Sequence, residues 1–287
     1  MRSLAVTFTV HPQYVISATH VPLLTSPDER RERILQCGVD EVAMLDFSTL
    51  RHLTAEQFMR LLAEREGVSS LLLGYNHRFG SDRLTDFADY EAAGKRAGVE
   101  ILKLRELQAA AGFNSESRRK VSSTVIRRLL LSGDIETANS LLGYCYGLSG
   151  TVVHGRCIGR ELGFPTANIR PSCPDKLIPG NGVYEAYCSL PPSVNKQPLE
   201  VNWHDETIKR QLPEISLERP ALLNIGTNPT VGGLERTIEA HIINFSGDLY
   251  GQTLQLRLKR KIRDEHQFAS VDELRRQISC DIKSLSQ

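Results

Sequence analysis

The sequence predicts two α/β and β units in series: a doubly wound parallel α/β domain, then a small antiparallel barrel closed by a helix. Three observations predict it. Short apolar runs alternate with helical patterns up to about residue 142, the grammar of βαβ units. Beyond Gly143 the chain becomes short alternating strands separated by Gly, Pro and Asn turns. A length of 287 residues accommodates about two domains.

Leu4–Phe8 is a continuous apolar run, as a strand buried on both faces requires. Ser26-Pro27-Asp28-Glu29 opens a helix that Gly38 ends, with a hydroxyl cap, Pro in the first turn and acids at the positive end of the dipole. Val42–Leu45 is the next strand, and Thr54 begins a helix with Gln57 at capping-box spacing. Ser70–Gly74 and Val99–Leu102 are further strands, separated by a helix over Asp86–Ala97. In the second half, strands are expected over Leu148–Val153, Gly182–Leu190, Ala221–Ile225, Thr237–Phe245 and Thr253–Leu258. A final helix runs from the Ser270 cap to about Leu285, and the five prolines of Pro191–Pro220 mark an elongated surface loop. The domain boundary is placed at residues 142–147.

Charge narrows the function classes. Residues 1–142 hold 18 basic and 18 acidic side chains within an overall net charge of +1, so neither half is a basic block suited to nucleic acid. No apolar stretch approaches the ~20 residues that cross a bilayer. The start lacks an apolar core and a small-residue cleavage site, so a cytoplasmic chain is expected. Six scattered cysteines without a C-x-x-C pair read as reduced thiols used as small hydrophobes.

Four segments carry candidate chemistry. Ser122, Ser123 and Thr124 stand where a helix begins, with Arg127 and other arginines nearby. Free N–H groups, dipole and guanidinium suit a phosphate there, and a well-capped helix with a solvated basic face is the plainer reading. Gly150, Gly155, Gly159-Arg160 and Gly163 precede Phe164-Pro165-Thr166-Ala167-Asn168. Glycines let backbone approach a ligand, and on an extended segment Thr166 and Asn168 point the same way, offering hard oxygen ligands suited to Mg²⁺; a turn-rich barrel corner is the competing reading. On a strand, Thr237, Glu239 and His241 share a face, so Glu239 is a candidate base and His241 a structural histidine. Arg263, before the last helix, is either a ligand contact or half of a surface ion pair.

These segments, in this order, resemble the bacterial bifunctional riboflavin kinase/FMN adenylyltransferases, or FAD synthetases. The resemblance rests on Val6-Thr7-Phe8 with His11-Pro12, Arg78-Phe79-Gly80, Ser122-Ser123-Thr124 with Arg127, and above all Gly159–Asn168. Gly182-Val183-Tyr184, Asn224-Ile225-Gly226, Glu239-x-His241, Asp248–Gly251 and Arg263-Asp264-Glu265 continue it. It implies a Rossmann-like nucleotidyltransferase domain over 1–142 and a six-stranded split barrel with riboflavin kinase activity over 143–287. Thr166 and Asn168 would hold Mg²⁺ and ATP phosphates. Gly150, Gly155, Gly159 and Arg160 would form the nucleotide flap, Glu239 would be the base, and Arg263 would lie near the flavin. The substrates implied are ATP, riboflavin and FMN, with neither nucleic acid nor membrane as partner. A binder of flavin or nucleotide without turnover is the alternative.

One departure bears on the second activity. The family opens with a strand leading to Gly-x-Phe-Asp-Gly-x-His-x-Gly-His, whose histidines bind the triphosphate, and no H-x-G-H occurs in these residues. Either a start codon upstream of Met1 or a truncation retaining the kinase alone accounts for this, and impaired adenylyl transfer is expected. The first strand of such a sheet lies near its centre, so exposed strand edges are expected too. Asn76-His77 also departs from the Asp-Phe of the family.

Overall fold

In the computed structural model, the residues described are 2–74, 77–104, 121–155, 159, 162–191, 218–230 and 233–285. They form two compact units, residues 1–120 and 121–287.

The first unit alternates strands and helices: β1 (Leu4–Phe8), α1 (Pro12–Ser17), α2 (Pro27–Gln36), β2 (Glu41–Leu45), α3 (Phe47–Leu50), α4 (Ala55–Glu66), β3 (Ser70–Leu73), α5 (Phe87–Ala97) and β4 (Glu100–Lys103). Ser26 and Thr54 each close a capping box, with Glu29 and Gln57, so local chemistry sets both helix starts. All pairing is parallel, but among the described residues the strands make two separate two-stranded sheets, β1 with β2 and β3 with β4. A single doubly wound sheet would join them through a further strand. Two-stranded ribbons are marginal alone, and here helices supply the packing. Met59 of α4 and Tyr90 and Ala93 of α5 bury Leu73 and Ile101. On the opposite face Leu72 and Leu102, paired across β3 and β4, remain 55% and 42% exposed.

The second unit begins with α6 (Ser123–Ser132) and α7 (Ile135–Leu142). The barrel strands are β5 (Gly147–Val153), β6 (Ala167–Pro171), β7 (Gly182–Ser189), β8 (Glu218–Thr230), β9 (Gly233–Ile242) and β10 (Thr253–Arg263), followed by α8 (Val271–Ser284). These six close in the order β10-β5-β6-β9-β8-β7, all antiparallel. Alternation is clean in β5, where Leu148, Gly150 and Val152 face inward. Leu223, Ile225, Ile238, Ala240, Leu254 and Leu256 complete the interior, so the barrel is filled by side chains. Cys188 is fully buried in this core, and burial pushes its thiol up to about 12, in keeping with an inert hydrophobe.

Polar clamps fix both helical ends to the barrel. Asn139 of α7 accepts from the Tyr146 N–H at 2.7 Å and donates to the Leu258 carbonyl at 2.9 Å. At the other end, Asp281 of α8 receives Arg263 Nε at 2.9 Å, and Arg260 donates to the Ser284 carbonyl while pairing with buried Glu185. The Pro191–Pro220 loop expected from composition lies almost wholly outside the described residues.

Replacing Asn139 by Ala strips partners from two backbone groups at once. The expected loss is about 1–3 kcal/mol in urea unfolding, the cost of leaving such groups unsatisfied; a change within 0.3 kcal/mol would show that α7 is not clamped this way.

Candidate active site

The β6–β9 register is the starting point. Ala167 lies opposite Ala240, and Asn168 opposite Glu239. Directly opposed residues project to the same face, so amide and carboxylate share one side of the wall while Ile238 and Ala240 fill the barrel. Thr166, one residue before β6, donates its Oγ1 hydrogen to Glu239 Oε2 at 3.2 Å. Thr166, Asn168 and Glu239 are each half-buried, shielded yet open to a ligand. Thr166 and Asn168 thus both adjoin Glu239, one by a hydrogen bond and the other by strand register.

Two glycines approach this group closely. A Cβ on Gly155 would collide with the Asn168 side-chain amide. One on Gly159 would collide with the Phe164 carbonyl and stand 3.1 Å from Thr166 Oγ1. The Gly159 carbonyl accepts from Phe164 N–H at 2.8 Å, tying the glycine segment to the turn that delivers Thr166. Gly163 occupies that turn with φ of +85°, a conformation that L side chains rarely adopt.

Other candidates fall elsewhere. Gly150 is not beside these residues: it is buried in β5 opposite Pro171 and Leu254, where a side chain would strike Ile169 and the Arg170 carbonyl. Arg160 lies outside the described residues, as does Asn76. Arg263 ends β10, held by Asp281, donating to the Asp264 carbonyl at 3.1 Å and lying 5.5 Å over the Phe268 ring. Its guanidinium is therefore aimed by the last helix, and no described contact joins it to Glu239. Ser122 Oγ caps α6 by accepting from Val125 N–H at 3.3 Å, with Ser123 and Thr124 in the first turn. Arg127 is half-buried, and desolvation lowers its pKa against the opposing pull of Tyr146. These four residues belong to the second unit, where Ser122 serves as the N-cap of α6.

Sequence reasoning missed the first of two features and, having read His241 as a structural histidine, left the partner in the second open. His154, next to Gly155, stacks on Tyr250 with ring centroids 3.9 Å apart, a flat aromatic surface of the kind that receives a planar ring. His241 Nδ1 lies 2.9 Å from the Pro165 carbonyl. Only the Asp248–Gly251 and Glu239-x-His241 segments hinted at them, and neither has a spacing that announces a contact between distant strands.

The riboflavin kinase family matches residues 142–287, and the FAD synthetase family matches residues 1–124. A bifunctional riboflavin kinase/FMN adenylyltransferase of Escherichia coli is 34% identical over 90% of this chain and 73% of its own length. The chain belongs to this bifunctional family. The Listeria monocytogenes member is 31% identical over 98% of this chain and 80% of its own. A solved structure described as a macrolide-efflux protein from Streptococcus pneumoniae superposes with TM-score 0.80 and 27% identity, covering all of this chain and 84% of that one. No helix among the described residues is long and apolar enough to cross a membrane.

Gly155→Ala should turn the Asn168 side chain while sparing the barrel. The expected result is a displaced Asn168 side-chain amide resonance in the ¹H–¹⁵N spectrum with Tm within a few degrees of wild type; an unmoved resonance contradicts the close approach.

Proposed function

We propose that the second unit of this chain is a riboflavin kinase, transferring the γ-phosphoryl group of ATP to riboflavin and releasing FMN and ADP. The observation that carries this is the meeting of Thr166 Oγ1 and Glu239 Oε2 at 3.2 Å, with Asn168 opposite Glu239 in the strand register. Membership of the family supplies the substrates.

Thr166 and Asn168 present a hydroxyl and an amide carbonyl beside a carboxylate, an all-oxygen donor set. Such donors suit Mg²⁺, which takes oxygen ligands and is commonly shared with nucleotide phosphates. Thr166 and Asn168 are the residues that would hold it, and when bound it would neutralise charge on the phosphates. The chain's own part is positioning. Gly155 lies close against Asn168 and Gly159 close against Thr166, so at these two positions backbone rather than side chain would face the phosphates.

Glu239 is the general base. Its carboxylate projects from a strand paired on both sides, with β6 and with β8, which restricts its motion. The terminal ribityl oxygen attacks the γ-phosphorus, the bond from that phosphorus to the β–γ bridging oxygen breaks, and the hydroxyl proton passes to Glu239. Phosphoryl transfer asks little covalent help of a protein, so geometry and charge carry most of the rate. Arg263, aimed by Asp281 and backed by Phe268, is placed near the flavin in this reading.

Adenylyl transfer is a separate matter. The triphosphate-binding H-x-G-H of the family is absent from these 287 residues, and among the described residues the strands of the first unit make two separate pairs. Losing one preorganised donor costs about 10²–10³ in rate, and here two histidines are wanting. The 287-residue chain, assayed by HPLC, is expected to form FMN from riboflavin and to form no FAD from FMN; robust FAD formation would contradict the second half of that statement.

Glu239→Gln should lower kcat for FMN formation by about 10²–10⁴, the usual worth of a positioned acid–base group, while riboflavin and nucleotide still bind. An active E239Q enzyme overturns the base assignment. A wild type that binds riboflavin without ever forming FMN overturns the kinase reading.

A further inference from the structure

His241 takes no part in the mechanism above, yet it stands two residues from Glu239 on the same face of β9. Its Nδ1 lies 2.9 Å from the Pro165 carbonyl. A carbonyl oxygen can only accept, so Nδ1 carries the hydrogen and donates. The Phe164 ring meets the imidazole edge to face at 5.7 Å, holding its plane. Pro165 is the residue immediately before Thr166, and no other hydrogen bond is described to its carbonyl.

We infer that His241 is a positioning residue for the metal-binding segment, locking the Pro165–Thr166 peptide so that Thr166 Oγ1 meets Glu239 and faces the Mg²⁺–nucleotide. This rests on the kinase reading of the same site, and it adds a residue whose effect is transmitted through Thr166. The geometry supports it from both ends of the segment. The Asn168 side is fixed by strand register opposite Glu239. On the Gly159 side, the Gly159 carbonyl accepts from Phe164 N–H at 2.8 Å. Between them, Gly163 sits in a turn with positive φ and Thr166 precedes the paired strand. Pro165 offers no N–H of its own, so its carbonyl is the one backbone hydrogen-bonding group by which that residue can be anchored. His241 supplies the anchor from the strand that also carries the base. One rigid element thereby sets both the base and the ligand segment.

The test exploits where each amide would fall. In His241→Asn, the amide nitrogen branches from Cγ as Nδ1 does and retains a donor toward Pro165. In His241→Gln, the amide sits one carbon farther out, where Nε2 was, and leaves that carbonyl unanchored. In metal-free protein, the Thr166 backbone amide resonance should move in H241Q and return close to its wild-type position in H241N. Calorimetric titration with Mg·ADP should show affinity about fivefold weaker in H241Q and rescued in H241N, the range expected for one hydrogen bond, with riboflavin affinity unchanged in both.

Equal behaviour of the two variants, or weakening in H241N alone, overturns the inference. If H241Q fails to fold by circular dichroism, His241→Met replaces it as the variant without a donor, with the same expectations. Wild-type turnover is measured in parallel. Nucleotide binding without FMN formation sinks the kinase reading while the H241N–H241Q comparison still decides the anchor. Absence of Mg·ADP binding by wild type overturns both.

Discussion

The antiparallel register between β6 and β9 is the constraint on which the site depends. Only two residue pairs define it, Ala167 with Ala240 and Asn168 with Glu239. Side chains alternate along a strand, so a slip by one residue would turn Glu239 into the barrel and expose Ala240 in its place. The packed interior forbids that slip: Ile238 and Ala240 are already committed to the core with Leu223 and Ile225. Hydrophobic filling of the barrel thus aims a carboxylate on its outer surface.

Stiffness and freedom are divided accordingly. The residues proposed as ligands stand on or beside strand β6 of the barrel wall, and the clamps through Asn139, Arg260 and Asp281 bind the flanking helices to β10. Gly155 and Gly159 approach them, and their missing side chains make room for Asn168 and Thr166. A site for phosphoryl transfer profits from this division, because the charges that meet the phosphates must be held before the substrate arrives. The first unit offers a contrast: its β3–β4 ribbon leaves Leu72 and Leu102 exposed on one face.

Much of this was legible in the sequence, for identifiable reasons. Capping boxes at Ser26 and Thr54 are local signals, and the helices begin where those signals stand. The change from βαβ grammar to short alternating strands marked the barrel, and period-two spacing put Thr166 and Asn168 on one side. What stayed hidden depends on contacts between distant residues. Gly150 resembles its neighbours in a glycine-rich run, yet it serves the close approach of β5 and β6 inside the barrel. Arg263 was readable as a ligand contact or an ion pair, but nothing near it in sequence announced Asp281, its buried partner on α8. His241 was readable as a structural histidine, but its partner appears only when β9 is laid beside the turn containing Pro165.

The most direct measurement of the account is a crystal structure of the chain with Mg²⁺, ADP and FMN. The expected result is an ion held by both the Thr166 hydroxyl and the Asn168 carbonyl oxygen, the hard oxygen donors that Mg²⁺ takes. The Glu239 carboxylate is expected within hydrogen-bond reach of the ribityl end that bears the phosphate. An ion and nucleotide bound away from this wall of the barrel, with Glu239 facing solvent, would contradict it.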